Sequence, residues 1–218
     1  MDILEAIKQR HSVRQYSDKP IEDAILNELK KEIDDCNKEG GLHIQLVANE
    51  PKAFDSFMAH YGKFSGVENY IVLIGKKDRS LDEKCGYYGE KLVLKAQQLG
   101  LNTCWVAMTY KKIPSAFVVN KGEKLTVVIS LGYGKTKGVS HKIKTIEQVS
   151  NVSGDTPNWF KEGVELALLA PTAMNQQKFE FIYNNGKVTA KAGAGFYSKV
   201  DLGIVKYHFE IGANRKIF

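Results

Sequence analysis

"FEFIYNNGKVTAKA", residues 179–192, decides the class of fold. Phe179 to Tyr183 and Lys187 to Ala192 are strand-forming runs. Asn184-Asn185-Gly186 between them is a tight-turn signal, because Asn and Gly accept the positive φ that a short hairpin needs. At least one antiparallel pair therefore exists. Immediately upstream, Thr156 reads as an N-cap with Pro157 at the first helical position, and Phe160, Val164, Ala167 and Leu168 recur at helical spacing.

The remaining elements follow the same two periods. LTVVISL, residues 125–131, is a buried strand ended by Gly132. Residues 86–99 form a helix with Leu92, Ala96 and Leu99 on one face and Gly100 as its stop. Tyr70 to Ile74 is a strand closed by Gly75, and His43 to Val47 alternates like another. A helix opened by Pro20 carries Ile25, Leu29 and Ile33 and ends at Gly40-Gly41. A shorter one covers residues 2–9, with Ile3 and Ile7 on one side. Helices and strands are mixed with no low-complexity linker, so residues 1–218 are expected to form one layered α/β (α+β) domain. Residues 20–47 and 157–183 share a helix–loop–strand plan, a hint of internal pseudo-symmetry.

Apolar residues make up 43% of the chain and charged residues 26%, which suits an ordinary folded domain rather than a disordered one. The longest apolar runs fall far short of a membrane span, and MDILEAIKQR lacks the layout of a signal peptide, so a cytoplasmic location is expected. Cys36, Cys85 and Cys104 are odd in number and widely spaced, which favours buried, reduced thiols over zinc ligation. The net charge of +6 is spread along the chain rather than gathered in one basic segment. It suits a phosphorylated ligand, or simple solubility, better than nucleic acid.

Several motifs fail on spacing. Gly134-Lys135-Thr136 lacks the earlier glycine of a P-loop, since residue 129 is isoleucine. Gly193-Ala194-Gly195 has Ser198 where a dinucleotide fingerprint needs its third glycine. No serine stands in a G-x-S-x-G elbow, and the five histidines are isolated from one another.

Three stretches keep a chemical reading. In RHSVRQY, residues 10–16, Arg10, Ser12 and Arg14 alternate, so an extended backbone projects them to one side and His11 and Val13 to the other. Two guanidinium forks and a hydroxyl suit a phosphate; a solvated arginine pair fits equally well. In LLAPTAMNQQKFEF, residues 168–181, a helix ends and small and amide side chains precede a strand. These groups suit the edge of a planar heterocycle, or an ordinary connecting loop. In GLNTCWVAM, residues 100–108, Cys104 and Trp105 suit a packed core or a wall for a flat ring.

Taken together, these stretches resemble the FMN-dependent nitroreductase family. Arg10 to Tyr16 matches its R-x-S-x-R-x-[FY] motif, which binds the FMN phosphate. Ala170-Pro171-Thr172-Ala173-Met174-Asn175-Gln176-Gln177-Lys178-Phe179 is similar to its flavin-contacting loop A-P-S-x-x-N-x-Q-P-[WF], with Thr for Ser and Lys178 for Pro. Gly100 to Ala107 resembles G-L-G-[TS]-C-W-[IV]-G, and Val200 to Glu210 also resembles family members. In most members the loop follows soon after the arginine motif. Here it falls in the second half of the chain, as in one branch of the family.

The resemblance implies a three-layer sandwich with a mixed, largely antiparallel sheet flanked by helices, and a homodimer with FMN at the subunit interface. It implies hydride uptake from NADH or NADPH and reduction of a nitroaromatic, a quinone or a related small acceptor by a ping-pong mechanism. A flavin-storing or flavin-sensing protein of the same fold is the alternative. The cofactor-binding residues it suggests are Arg10, His11, Ser12 and Arg14 at the phosphate, with Lys142 and Lys144 adding charge. Lys63, in Tyr61-Gly62-Lys63, is placed beside N1 and O2 of the ring, and the backbone at Val106 and Ala107 near N5. Pro171, Thr172, Asn175 and Gln177 come from the flavin-contacting loop.

Overall fold

Two uninterrupted apolar stretches pair in antiparallel fashion to make the centre of a sheet: β2 (Asn69–Lys76) and β4 (Glu123–Gly132), with Ile71 opposite Ile129 and Val72 opposite Val128. The computed structural model that shows this describes residues 1–218. Strand β2 is buried from Asn69 to Gly75, which is why it reads as a continuous apolar run rather than an alternation. Strand β1 (Gln45–Val47) adds to β2 and β3 (Asn102–Val106) adds to β4, giving the order β1-β2-β4-β3, antiparallel throughout. Strand β1 is shorter than the expected 43–47. The carboxamide of Asn37 accepts from the Ile44 N–H (2.7 Å) and donates to its carbonyl (2.9 Å), while upstream the His43 N–H still donates to the Ile74 carbonyl (2.8 Å) and Leu42 bridges Gly75.

The helices differ from expectation mainly at their starts. Helix α1 (Ile3–Gln9) is capped by Asp2, whose carboxylate accepts from the Glu5 N–H. Helix α2 (Asp23–Gly40) begins after Glu22 rather than at Pro20, and ends as expected on Gly41, left-handed at φ 62°. Helix α3 (Phe57–Tyr61) is one short turn. Helix α4 (Leu81–Gln98) starts ahead of the expected residue 86, because Gly86 marks a close contact and not an end: a Cβ there would lie 2.0 Å from the Val200 carbonyl.

The chain falls into two compact units, residues 1–81 with 92–139 and residues 82–91 with 140–218. The first holds the four-stranded sheet, with Tyr16, Phe54, Phe64 and Tyr70 in its core. The second holds α5 (Asn158–Leu168), the hairpin β5 (Phe179–Asn184) and β6 (Lys187–Ala192), and α6 (Ser198–Ala213). The hairpin turns at Asn185 (φ 48°) and Gly186 (φ 82°), the two successive positive-φ positions of the predicted turn. Helix α5 is capped by Pro157 instead of Thr156, whose hydroxyl instead accepts from the Ser153 N–H in the preceding turn. Phe160 of α5 and Phe181 of β5 pack on Phe209 of α6, the latter pair stacked at 4.6 Å.

The three cysteines are buried and free, as expected. No helix is long and apolar enough to cross a membrane. The helix–strand plan recurs as α2–β1 and α5–β5, but β1 joins the four-stranded sheet and β5 only its hairpin.

Candidate functional site

In the first unit the segment from Arg10 to Ser17 is clasped by three neighbours. Val13 N–H donates to the Thr103 carbonyl of β3. The Arg14 carbonyl accepts from Ser65 N–H, and Tyr16 N–H donates to the Ser65 carbonyl. Ser17 N–H and the Gln15 carbonyl bond to Tyr133 and Lys135. Val13 and Tyr16 are buried in the core, where the Tyr16 hydroxyl donates to the Val13 carbonyl (2.7 Å) and bonds Ser130 Oγ. Burial holds that phenol well above its ordinary range, so it stays protonated. Gly66 (φ 68°) is required at the clasp, since a Cβ would sit 2.4 Å from the Tyr16 carbonyl oxygen.

The clasp gathers the donors of RHSVRQY. Arg10 is only 4% exposed, Ser12 is half-buried and Arg14 reaches solvent with its guanidinium 5.9 Å from the centre of the Phe64 ring. All three lie within electrostatic reach of the buried Cys104 thiol of β3. Burial pushes that thiol up, while Arg14, a hydrogen bond from Ser12 and Arg10 pull it down. Val13 turns into the core, and His11 lies against Gly138, where a Cβ would be 2.7 Å from its own. Lys63 (φ 63°) is exposed in the loop that delivers Phe64 and Ser65 to the clasp. Val106 is buried at the end of β3, and Ala107 follows it half-exposed.

The second unit contains the 170–177 loop. Met174 (φ 51°), Asn175 (φ 53°) and Gln177 (φ 45°) all lie in the left-handed region. Asn tolerates that region through its short polar side chain, but Met and Gln pay about 1–3 kcal/mol each, so the surroundings must hold them there. Gln177 N–H donates to Thr172 Oγ1 (3.1 Å). The carboxamides of Asn175 and Gln177 are spent inside the unit: both donate to the Lys142 carbonyl (2.9 and 2.8 Å). Gln177 Oε1 also accepts from the Lys144 N–H (2.9 Å), and Lys144 Nζ donates to the Gln177 carbonyl (2.8 Å). These amides therefore fix the two lysines of the 142–144 segment. Pro171 and Thr172 are half-buried, and the Lys142 side chain is exposed.

A residue that sequence reasoning did not single out sits behind this loop. Asp201, in the first turn of α6 and 3% exposed, accepts from Ala173 N–H (2.9 Å) and from Gln176 Nε2 (2.7 Å). Burial pushes its carboxyl up to about 6 against the opposing pull of those two donors. A lone acid among Val200, Leu202, Ile204 and Val205 was the available signal. The same unit buries a Glu90–His208 pair at 2.9 Å, both side chains 0% exposed, with His208 Nδ1 facing the Leu166 carbonyl.

A family model described as "Putative TM nitroreductase" matches residues 2–213. The chain belongs to this nitroreductase family. Solved nitroreductase structures share its fold, an α+β arrangement of antiparallel sheets flanked by helices. A Thermotoga maritima protein described as a "putative nitroreductase" is 23% identical, with a TM-score of 0.69 over 97% of this chain and 83% of that one. A Desulfovibrio desulfuricans protein described as a "putative nitroreductase in complex with FMN" is 16% identical, with a TM-score of 0.56 over 72% and 99% of the two chains. An "FMN-dependent nitroreductase" of Clostridium difficile is 19% identical, with a TM-score of 0.51 over 70% and 99%. No curated protein matches the chain.

Proposed function

We propose that this nitroreductase-family chain binds FMN, takes hydride from NADH or NADPH, and reduces a nitroaromatic, a quinone or a related small acceptor in a ping-pong cycle. One observation carries the reading: main-chain hydrogen bonds to Thr103, Ser65, Tyr133 and Lys135 pin the segment that carries Arg10, Ser12 and Arg14. The donor set fits the cofactor's phosphate. Two guanidinium groups, one of them nine-tenths buried, and a hydroxyl offer directed, charge-assisted hydrogen bonds to a dianion.

FMN, when bound, supplies the redox chemistry: it accepts two electrons from the nicotinamide and passes two to the acceptor. The chain's own residues bind and orient. In this reading Arg10, Ser12 and Arg14 anchor the phosphate, with His11 beside them, and Lys142 and Lys144 add positive charge. Lys63 offers a cation to the negative charge the ring gains on reduction, and the backbone at Val106 and Ala107 faces the ring's reactive edge. Pro171 and Thr172 belong to the ring-contacting loop, which Asn175 and Gln177 hold in shape. Homodimerisation, implied by the resemblance, belongs to the same reading and is checked by light scattering of the flavin-loaded protein.

The test is the visible spectrum of the purified protein before and after each nicotinamide. A flavin band that bleaches with NADH or NADPH and returns with a quinone supports the enzyme. A band that neither nicotinamide bleaches supports a flavin store instead. Arg14→Ala removes one charge-assisted contact worth about 1.5–3 kcal/mol and is expected to weaken FMN about 10- to 100-fold. Retention of FMN as tight as in the parent removes the phosphate assignment.

A further inference from the structure

We infer that Asp201 is a positioning residue that holds the 170–177 loop and, through it, sets Lys142 and Lys144 for an anionic phosphate; the phosphate end of this inference rests on the FMN reading above. The chain of contacts is continuous within the second unit. Asp201 Oδ1 accepts from Ala173 N–H and Oδ2 from Gln176 Nε2, which also donates to the Phe196 carbonyl (2.7 Å). Gly195 leaves room for that amide: a Cβ there would sit 2.3 Å from Gln176 Oε1. From the far side of the loop, Asn175 and Gln177 bond the Lys142 carbonyl, and Gln177 bonds both the main-chain N–H and the Nζ of Lys144.

The backbone between these two sets of contacts is the part that cannot hold itself. Three of its residues carry side chains at positive φ, and with its tethers cut such a segment relaxes toward ordinary conformations. Both partners of Asp201 are neutral donors, so the carboxylate is not there to neutralise a buried cation. A buried acid in the first turn of α6 whose two oxygens both bond the strained loop is a device for holding that loop. The loop's own amides spend their capacity on the lysine segment, so what it positions is that segment.

The experiment compares the parent, Asp201→Ala, Asp201→Asn and Gln176→Ala for binding of FMN and of riboflavin, which lacks the phosphate, and for amide hydrogen exchange without ligand. Asp201→Ala is expected to weaken FMN at least 10-fold and riboflavin less than 2-fold. Asp201→Asn keeps one acceptor and should recover part of the loss, while Gln176→Ala cuts one tether and shows a smaller effect of the same sign. In the ligand-free protein, exchange at the Ala173 and Lys144 amides should speed up at least 10-fold in Asp201→Ala with the 179–192 hairpin unchanged. Equal weakening of both flavins, or unchanged FMN binding, overturns the inference. If the parent binds neither flavin, the proposed function falls, and exchange alone decides the tether: acceleration at both Ala173 and Lys144 supports it, and parent-like rates at Lys144 overturn it. Should Asp201→Ala not fold, Asp201→Asn and Gln176→Ala give the same readouts.

Discussion

Substituting Asp201 by Asn removes a titration, and the size of the effect can be worked out from the burial of the carboxyl. The carboxyl is pushed up to about 6 from 3.8, because its burial penalises the charged form more than two neutral donors favour it. Between those values the native chain binds more protons than the unfolded chain, so the free energy of unfolding falls as pH rises. The stabilisation is fully present below the unfolded value and lost as pH climbs through about 6. At 1.36 kcal/mol per pH unit, the gap is worth about 3 kcal/mol, of which about 2 kcal/mol falls between pH 4.5 and 7.5. Asparagine does not titrate. In urea melts across that range the stability of the parent relative to Asp201→Asn should therefore decline by about 2 kcal/mol as pH rises. Other titrating groups cancel in the difference. Any constant offset from the lost acceptor leaves the slope untouched. A difference that is flat with pH refutes the argument that burial sets the titration of Asp201.

Two further pairs of variants probe the second unit by urea denaturation. Glu90→Ala removes the partner of the fully buried His208 Nε2 and should cost about 3–5 kcal/mol, whereas the double change Glu90→Leu with His208→Leu should cost less than Glu90→Ala, because it removes both members of the pair together. Gly203→Ala places a Cβ 1.9 Å from the Glu83 carbonyl oxygen, so α6 must move away from that backbone, at about 1–3 kcal/mol or more; Gly154→Ala, with nothing within 4 Å, should be nearly neutral. Equal effects at the two glycines would mean that the close contact between α4 and α6 is unimportant.

Periodicity located α2, α4, α5 and the central strands, because Leu29 and Ile33, Phe160 and Val164, and the 125–131 run bury the faces that their spacing defines; it did not assign α6, where Val200 to Val205 are buried without a break and no single face stands out. The boundaries depended on contacts distant in sequence or on turn details. Asn37 of α2 takes both backbone groups of Ile44 just ahead of β1, and Gly86 lies inside α4, where the Val200 backbone leaves no room for a side chain. The arginine motif was readable because its donors are adjacent in sequence and extended. The amides of Asn175 and Gln177 were recognisable as hydrogen-bonding groups but not in direction. Lys142 and Lys144, which receive them, stand over thirty positions earlier. Asp201 was the least visible. An acid in the first turn of a helix is favourable on the surface for reasons of the helix dipole, so its apolar neighbours Val200, Leu202, Ile204 and Val205 were the one local sign of burial, and none of them pointed to the 170–177 loop.

The cost of Asp201 to stability bears on what it is for. A carboxylate that loses about 3 kcal/mol of stability to burial above pH 6 is a poor choice for folding alone, since marginal domains have only about 5–15 kcal/mol in hand. The same unit places its other fully buried ionisable residues in a pair, Glu90 with His208, so it can satisfy buried charge where stability is the only demand. At the 170–177 loop it instead buries an acid against two neutral donors and holds Met174 and Gln177 at positive φ. Both costs fall on the same few residues, next to the segment that carries Lys142 and Lys144. A buried acid and side chains held at positive φ, meeting in one short loop, are what a site selected for geometry over stability should display.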